Sequence, residues 1–281
     1  MKAATSLSPG VRWTVGNVSS RGFEALRLSV WGAWRLFGPD ASYTICVNTV
    51  PLARARKMTG PLPDGVQWRV VTHDDLPKFL RPHVDPKMAE GVAWKLSPLQ
   101  IYEDRYELAL DNDCVLWELP AALRLWLDGA HQSHGLIAED VARCPGQFDA
   151  LCGPGARNSG IRGLPPGFDY ASAVRAVLGE HPIVLTSELD EQGLQTAALE
   201  RALPLLVVTT EDVSICSPFP PHQPELGRCG AHFVGQNAHA LPWSAADGRP
   251  AVAHLSDHWA RHRQSLEERV CAPAPAFELL D

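Results

Sequence analysis

The sequence predicts an α/β protein whose central sheet is mixed but mostly parallel and is flanked by helices. Short apolar runs of strand length recur along the chain, separated by segments whose apolar residues fall three and four apart. The first of these units runs strand, helix, strand, the order that brings two strands parallel through a crossover helix.

Residues 11–17, VRWTVGN, read as a short buried strand ending in a Gly-Asn turn. In the next stretch Phe23, Leu26, Val30 and Trp34 mark one face of a helix, which Gly38-Pro39 stops. SYTICVN (42–48) and GVQWRVV (65–71) supply two more strands, and EGVAWKLSPLQIY (90–102) reads as a further helical stretch. It leads into YELALDNDCVLWELP (106–120), a strand that carries two acids at its end and then resumes apolar character. A helix (119–129), a strand (134–140), a Pro/Gly-rich loop (144–157) and the segment NSGIRGLPPGFDY (158–170) follow. Beyond them lie helices around 169–179 and at 187–202, a strand (203–209), an irregular Pro-rich segment (217–227), the stretch 231–243 and a helix at about 250–268.

A length of 281 residues allows one large domain or two small ones, and with no convincing linker the whole span 1–281 reads as one domain closed by that last helix. The net charge of −7 argues against a nucleic-acid partner, which would call for a basic face. The first residues lack the apolar core of a signal peptide and no stretch approaches the ~20 apolar residues of a transmembrane segment, so a cytoplasmic location is expected. Seven cysteines, scattered without a C-x-x-C pair, fit free thiols and no disulfide.

Alternate residues of a strand share a face, so Asp111 and Asp113 can converge on one point. Two carboxylates held together repel, unless a Mg²⁺ or Mn²⁺ between them removes that cost. Ligands of open α/β sheets bind beyond the carboxyl ends of the strands, where this pair falls. The pair also fits a solvated turn with a capping Asp, although the apolar CVLW after it points to a bend within a sheet.

Two other sets carry metal-ligand chemistry. His254, His258 and His262 lie four apart and form one stripe on a helix, either a metal site or an exposed polar face. Cys216, His222, Cys229 and His232 have zinc-ligand side chains in a spacing that matches no zinc ribbon or finger. No G-x-S-x-G, G-x-x-x-x-G-K-[ST] or G-x-G-x-x-G occurs, which leaves serine hydrolases, P-loop enzymes and Rossmann dehydrogenases without their signatures.

ELALDNDCVLW resembles the L-D-x-D strand end of nucleotide-sugar glycosyltransferases with the GT-A fold. Three further segments resemble glycosyltransferase family 8, the retaining branch that includes glycogenin and the bacterial lipopolysaccharide galactosyltransferases. HFVGQNAHALPW (232–243) is similar to that family's H-F-x-G-x-x-K-P-W signature, RNSGIRGL (157–164) to its N-[AS]-G segment, and LDEQGL (189–194) to its D-Q-D-x-L segment. The segments stand in the family's order.

The resemblance implies the GT-A fold and a metal-dependent transferase that moves a sugar from a nucleotide-sugar donor, foremost a UDP-sugar, to an unidentified glycan, lipid or protein acceptor, with retention. Asp111, Asp113 and His232 would hold Mn²⁺ (or Mg²⁺), which as a Lewis acid stabilises the departing diphosphate. Asn158 would hydrogen-bond the donor sugar, and Asp190 or Glu191 would lie at its hydroxyls or reactive face. Lys95 resembles the family's basic residue upstream of the two acids and would bring positive charge to the donor. Thr14, Val15, Gly16 and Asn17 stand where the family binds base and ribose, and Asn112 and Gly235 lie inside the donor-binding motifs. The family's Lys before Pro-Trp is absent: AHAL separates Asn237 from Pro242, and His239 is the nearby substitute. GNVSSRG also replaces the family's acidic first loop.

Each residue has a plainer reading. Asn158 fits a turn, His232 a core histidine, Asp190 and Glu191 the first turn of a helix, and Lys95 a solvated helix face. The missing Lys motivates a second expectation, a catalytically silent relative that binds a nucleotide-sugar or glycan. A metal-dependent phosphohydrolase using the same acids is the third.

Overall fold

Strand β1 (Gly10–Val15), helix α1 (Ser20–Phe37), strand β2 (Ser42–Val47), helix α2 (Leu52–Thr59) and strand β3 (Gln67–Val70) open the chain as two successive parallel crossovers. A computed structural model describes residues 8–85, 93–129 and 131–271. Strands β4 (Glu107–Leu110) and β5 (Cys114–Leu116), helix α3 (Ala121–Leu127) and strands β6 (Gly135–Glu139) and β7 (Arg157–Leu164) follow. Helices α4 (Tyr170–Glu180) and α5 (Glu188–Ala202), strands β8 (Leu205–Val208), β9 (Val213–Cys216) and β10 (Gly230–Phe233) and helix α6 (Ala251–Val270) complete the described elements.

Seven strands form one sheet in the order β3-β2-β1-β4-β7-β6-β8, and β5, β10 and β9 form a second. In the large sheet β3, β2, β1 and β4 run parallel while β7 is antiparallel to both its neighbours. The carboxyl ends of β1 and β4 and the amino end of β7 therefore meet along one edge.

Helix α1 is buried on nearly all sides, and its sequence explains why. Phe23, Leu26, Val30 and Ala33 face the large sheet, while Ala25 and Leu28 face Trp259, Leu266 and Val270 of α6. Its start is fixed by Ser19, whose hydroxyl accepts from Gly22 N and donates to Gln236 O at 2.6 Å. Its end is Gly38, in the left-handed region at φ 72°.

The stretch 90–102 departs from the helix its spacing predicts. Residues 90–92 lie outside the described residues; from there a 3₁₀ turn, Ala93–Leu96, gives way to irregular chain. Pro98 has no N–H and disfavours helical geometry at Ser97, and the Pro98 carbonyl is taken by Arg12 Nη1 at 2.8 Å. The other predicted strands and helices are present with ends shifted by a few residues. Helix α2 and strand β9 occur in stretches read without an element, and β7 in a segment read without a type. All seven cysteines are free thiols. No described helix is long and apolar enough to cross a membrane.

Candidate active site

The two acids sit where the chain passes from one sheet to the other. Strand β4 ends at Leu110 in the large sheet, a turn carries Asp111 to Asp113, and β5 begins at Cys114 in the small one. The turn is held at both sides: Asp111 N donates to Gly160 O of β7 at 2.8 Å, and Phe233 N of β10 donates to Asp113 O at 2.9 Å. Because β10 runs antiparallel to β5 with His232 opposite Cys114, it delivers the imidazole to the same point. His232 Nε2 lies 3.3 Å from Asp113 Oδ1 and 3.5 Å from Asp111 Oδ2. A Cβ at position 160 would stand 2.4 Å from His232 Cε1, so only glycine leaves room for this ring against β7.

Charge balance explains the protonation states. Lys95 Nζ is 2.7 Å from Asp111 Oδ1 and 3.7 Å from Glu191 Oε2. Burial pulls the Lys95 pKa down, but the charges of Asp111 and then Glu191 raise it above its ordinary value. Burial pushes the Asp111 carboxyl up, and Lys95 and His232 together hold it well below the usual carboxylate range. His232 is depressed by burial, yet its hydrogen bonds to Asp111 and Asp113 raise it to about 10. For Glu191 burial wins over the attraction of Lys95, and its carboxyl is pushed up to about 7.

The remaining donor-site candidates divide by what their side chains do. Asn112 donates to Gly22 O at 3.1 Å and to Asn237 Oδ1 at 2.6 Å, and Asn237 in turn donates to Asp113 Oδ2 at 3.3 Å, so the amide between the acids ties them to α1. Asn158 donates to Asp140 at 2.8 Å and accepts from Gly160 N at 2.8 Å. Thr14 lines a narrow cavity with Arg12, Lys95, Asp111, Ser159 and Gln195. Val15 is core, Gly16 and Asn17 continue from it at the strand end, and exposed His239 reaches Asn17 O at 2.9 Å. Gly235 turns the chain at φ 88° beside Leu255. The Asp190 carboxylate is engaged by the turns before α5: it accepts from Gln147 N, Gln147 Nε2 and Thr186 N, each at 2.9 Å. Burial acts to raise its pKa, but these hydrogen bonds hold it below the ordinary value.

A buried polar chain beneath the site escapes a reading of motifs. Glu107 Oε1 lies 3.3 Å from Arg162 Nη2 and 3.7 Å from Arg12 Nη1, with all three side chains at most 2% exposed. Arg162 donates to Gln195 Oε1 at 2.8 Å, and Gln195 donates to Glu191. The only signal in the sequence is a charge set inside apolar strands, as in VRWTV, YELAL and GIRGL.

Asp111, Asp113 and His232 bring their ligand atoms within 4.8 Å of one another. Two carboxylates with one imidazole suit Mn²⁺ as well as Mg²⁺, and a divalent cation would take over the charge relief that Lys95 and His232 now give the acids. The Cys216, His222, Cys229 and His232 set is divided, since His232 belongs to the acids while Cys229 Sγ lies 3.7 Å from Asp212.

No family model matches the sequence, nor does any curated protein. The fold does match: it is the GT-A fold of nucleotide-sugar glycosyltransferases. The galactosyltransferase LgtC, solved with donor and acceptor sugar analogues, is similar over 96% of this chain and 98% of its own, with a TM-score of 0.56 at 13% identity. Mouse xyloside xylosyltransferase 1 matches over 83% and 99% (TM-score 0.52, 13% identity). The bifunctional glycosyltransferase WbbM matches over 96% of this chain and 53% of its own (TM-score 0.52, 12% identity).

Proposed function

We propose that the chain is a metal-dependent glycosyltransferase that transfers a sugar from a nucleotide-sugar donor, a UDP-sugar foremost, to a glycan, lipid or protein acceptor. The observation that carries the proposal is the convergence of Asp111, Asp113 and His232 at the edge where β1 and β4 end and β7 begins. That edge is where open α/β sheets bind ligands. Retention rests on the resemblance to family 8.

Asp111, Asp113 and His232 would hold Mn²⁺ or Mg²⁺, and the ion would supply Lewis-acid stabilisation to the departing diphosphate. The protein's own groups prepare that site. Asn112 and Asn237 fix the acids against α1. Lys95, 21% exposed at its side chain, is the cation nearest solvent. With Asp111 holding a metal, Lys95 would be the group of this chain available to the diphosphate, a role that would answer the missing Lys before Pro242. Glu191, 1% exposed, lies deeper and is held by Gln195. In this reading Asn158 and Thr14 border the donor.

A thermal-shift panel of UDP-, GDP-, CDP- and dTDP-sugars with Mn²⁺ tests the proposal. A matching donor at about 100 times its Kd stabilises by ~2.7 kcal/mol, which for a chain of this size raises Tm by roughly 5 °C. Asp113→Ala abolishes the shift. If no donor moves the wild-type Tm in the presence of Mn²⁺, the proposal fails. A shift without sugar transfer or donor hydrolysis supports the silent binding relative instead.

A further inference from the structure

A second cluster of metal-ligand side chains lies behind β10, on elements the active site does not use. Cys216 ends β9, His258 and His262 stand one turn apart on α6, and the carbonyl of Pro224 comes from the irregular segment between β9 and β10. These combine one residue of the cysteine set with two of the histidine stripe, across about 40 residues of sequence that no spacing rule joins. We propose that Cys216, His258 and His262 form a structural zinc site, completed by the Pro224 carbonyl or a water.

The atoms are placed for it. Cys216 Sγ lies 3.9 Å from His258 Nε2 and 3.8 Å from Pro224 O. Pro224 O lies 2.8 Å from His258 Nε2 and 3.0 Å from His262 Nε2. The sulfur and the two imidazole nitrogens fall within 4.8 Å of one another. With bonds of ~2.3 Å to sulfur and ~2.0 Å to nitrogen, a tetrahedral zinc ion needs ligand atoms roughly 3.3–3.6 Å apart, so the observed edges bracket the requirement. His258 Nδ1 is buried with no hydrogen-bond partner among the described residues, and Nε2 is the nitrogen turned to Cys216 Sγ and Pro224 O. Binding would release the Cys216 thiol proton to solvent and shift each ring proton from Nε2, where Pro224 O accepts it, to Nδ1, leaving both imidazoles neutral.

Thiolate with two imidazoles selects zinc, whereas the oxygen-rich pair of acids accepts Mn²⁺ or Mg²⁺, so the two sites sort their metals by ligand softness. Position gives the second site a purpose. Phe233, next to His232, packs its ring 6.1 Å from His258, 6.0 Å from His262 and 5.0 Å from Trp259. A zinc ion there would pin α6 and the Pro-rich segment to β9, the strand paired with the one that presents His232.

The test uses the full chain, grown with zinc and dialysed, then assayed for zinc by mass spectrometry and reconstituted with Co²⁺. The expected result is one zinc per chain in the wild type and in Asp113→Ala, with a thiolate-to-cobalt charge-transfer band in the near ultraviolet. Cys216→Ser loses that band, and His262→Gln weakens zinc binding by more than about tenfold. A wild type that keeps no zinc and gives no charge-transfer band overturns the proposal, as does a Cys216→Ser variant that retains both. Should Cys216→Ser fail to fold, His262→Gln at its half-buried position decides, with unchanged zinc content as the overturning result.

Discussion

Asp190 and Asp113 are both buried carboxylates, yet their surroundings give them different tasks. Asp190 accepts two backbone N–H groups and one side-chain amide from the turns at Gln147 and Thr186, and so closes the loop before α5. Asp113 faces an imidazole and another acid. Replacing Asp190 by Asn puts an amide donor where backbone donors already point, and a buried unsatisfied group costs roughly 1–3 kcal/mol. Asp190→Asn should therefore lower the urea midpoint while Mn²⁺ still raises Tm; Asp113→Ala should lose the Mn²⁺ response. Loss of the metal response in Asp190→Asn at unchanged stability would place Asp190 with the ligands instead.

At the scale of elements, the buried Arg12–Glu107–Arg162 group joins β1, β4 and β7, the three strands whose ends build the site. Glu107 also accepts the backbone N–H groups of Ile101 and Tyr102, so it fixes the irregular chain that follows Lys95. Breaking such a group from one side leaves charges buried without compensation, at a cost of about 3–5 kcal/mol. Glu107→Gln is expected to show that loss in chemical denaturation, and a loss under about 1 kcal/mol would mean that the two arginines find other partners. The local signals along the chain located β1, α1, β2 and the acids because apolar runs and caps are short-range properties. They did not locate β9, since a four-residue strand in the small sheet differs little from a loop. They placed a helix across 90–102 because spacing alone does not register that the Pro98 carbonyl is spent on Arg12. The charge group was illegible for a similar reason: its members are 95 and 55 residues apart from Glu107, and a single sequence does not say which charges are buried. The metal reading of Asp111 and Asp113 is legible in the strand alternation, and His232 joins them only through the resemblance, whereas the pairing of β10 with β5 that assembles the three is a property of the folded chain.

At the scale of the whole molecule, a net charge of −7 repels an anionic donor, so positive charge has to be local and its protons become coupled to metal binding. In the metal-free protein His232 has its pKa raised from 6.5 to about 10. Its contribution to stability is full below pH 6.5, where folded and unfolded chains both hold the proton, and is lost as pH rises toward about 10. Glu191, raised from 4.5 to about 7, has the same sign in a lower window, its contribution fading between those values. Asp111, depressed, acts in the opposite direction and withdraws stability only as pH falls below its ordinary 3.8. Between pH 7 and pH 9, then, the metal-free Tm should fall, and His232→Gln should flatten the slope. Mn²⁺ bound through His232, as proposed, would need the imidazole neutral, so each ion taken up in this range would displace the His232 proton and the stabilisation by Mn²⁺ would grow with pH. Calorimetric titration of Mn²⁺ at about pH 7.5, in two buffers of different ionisation enthalpy, should count close to one proton released per ion. A heat that is the same in both buffers would mean that Mn²⁺ binds without His232, leaving the two aspartates as its only protein ligands from this site.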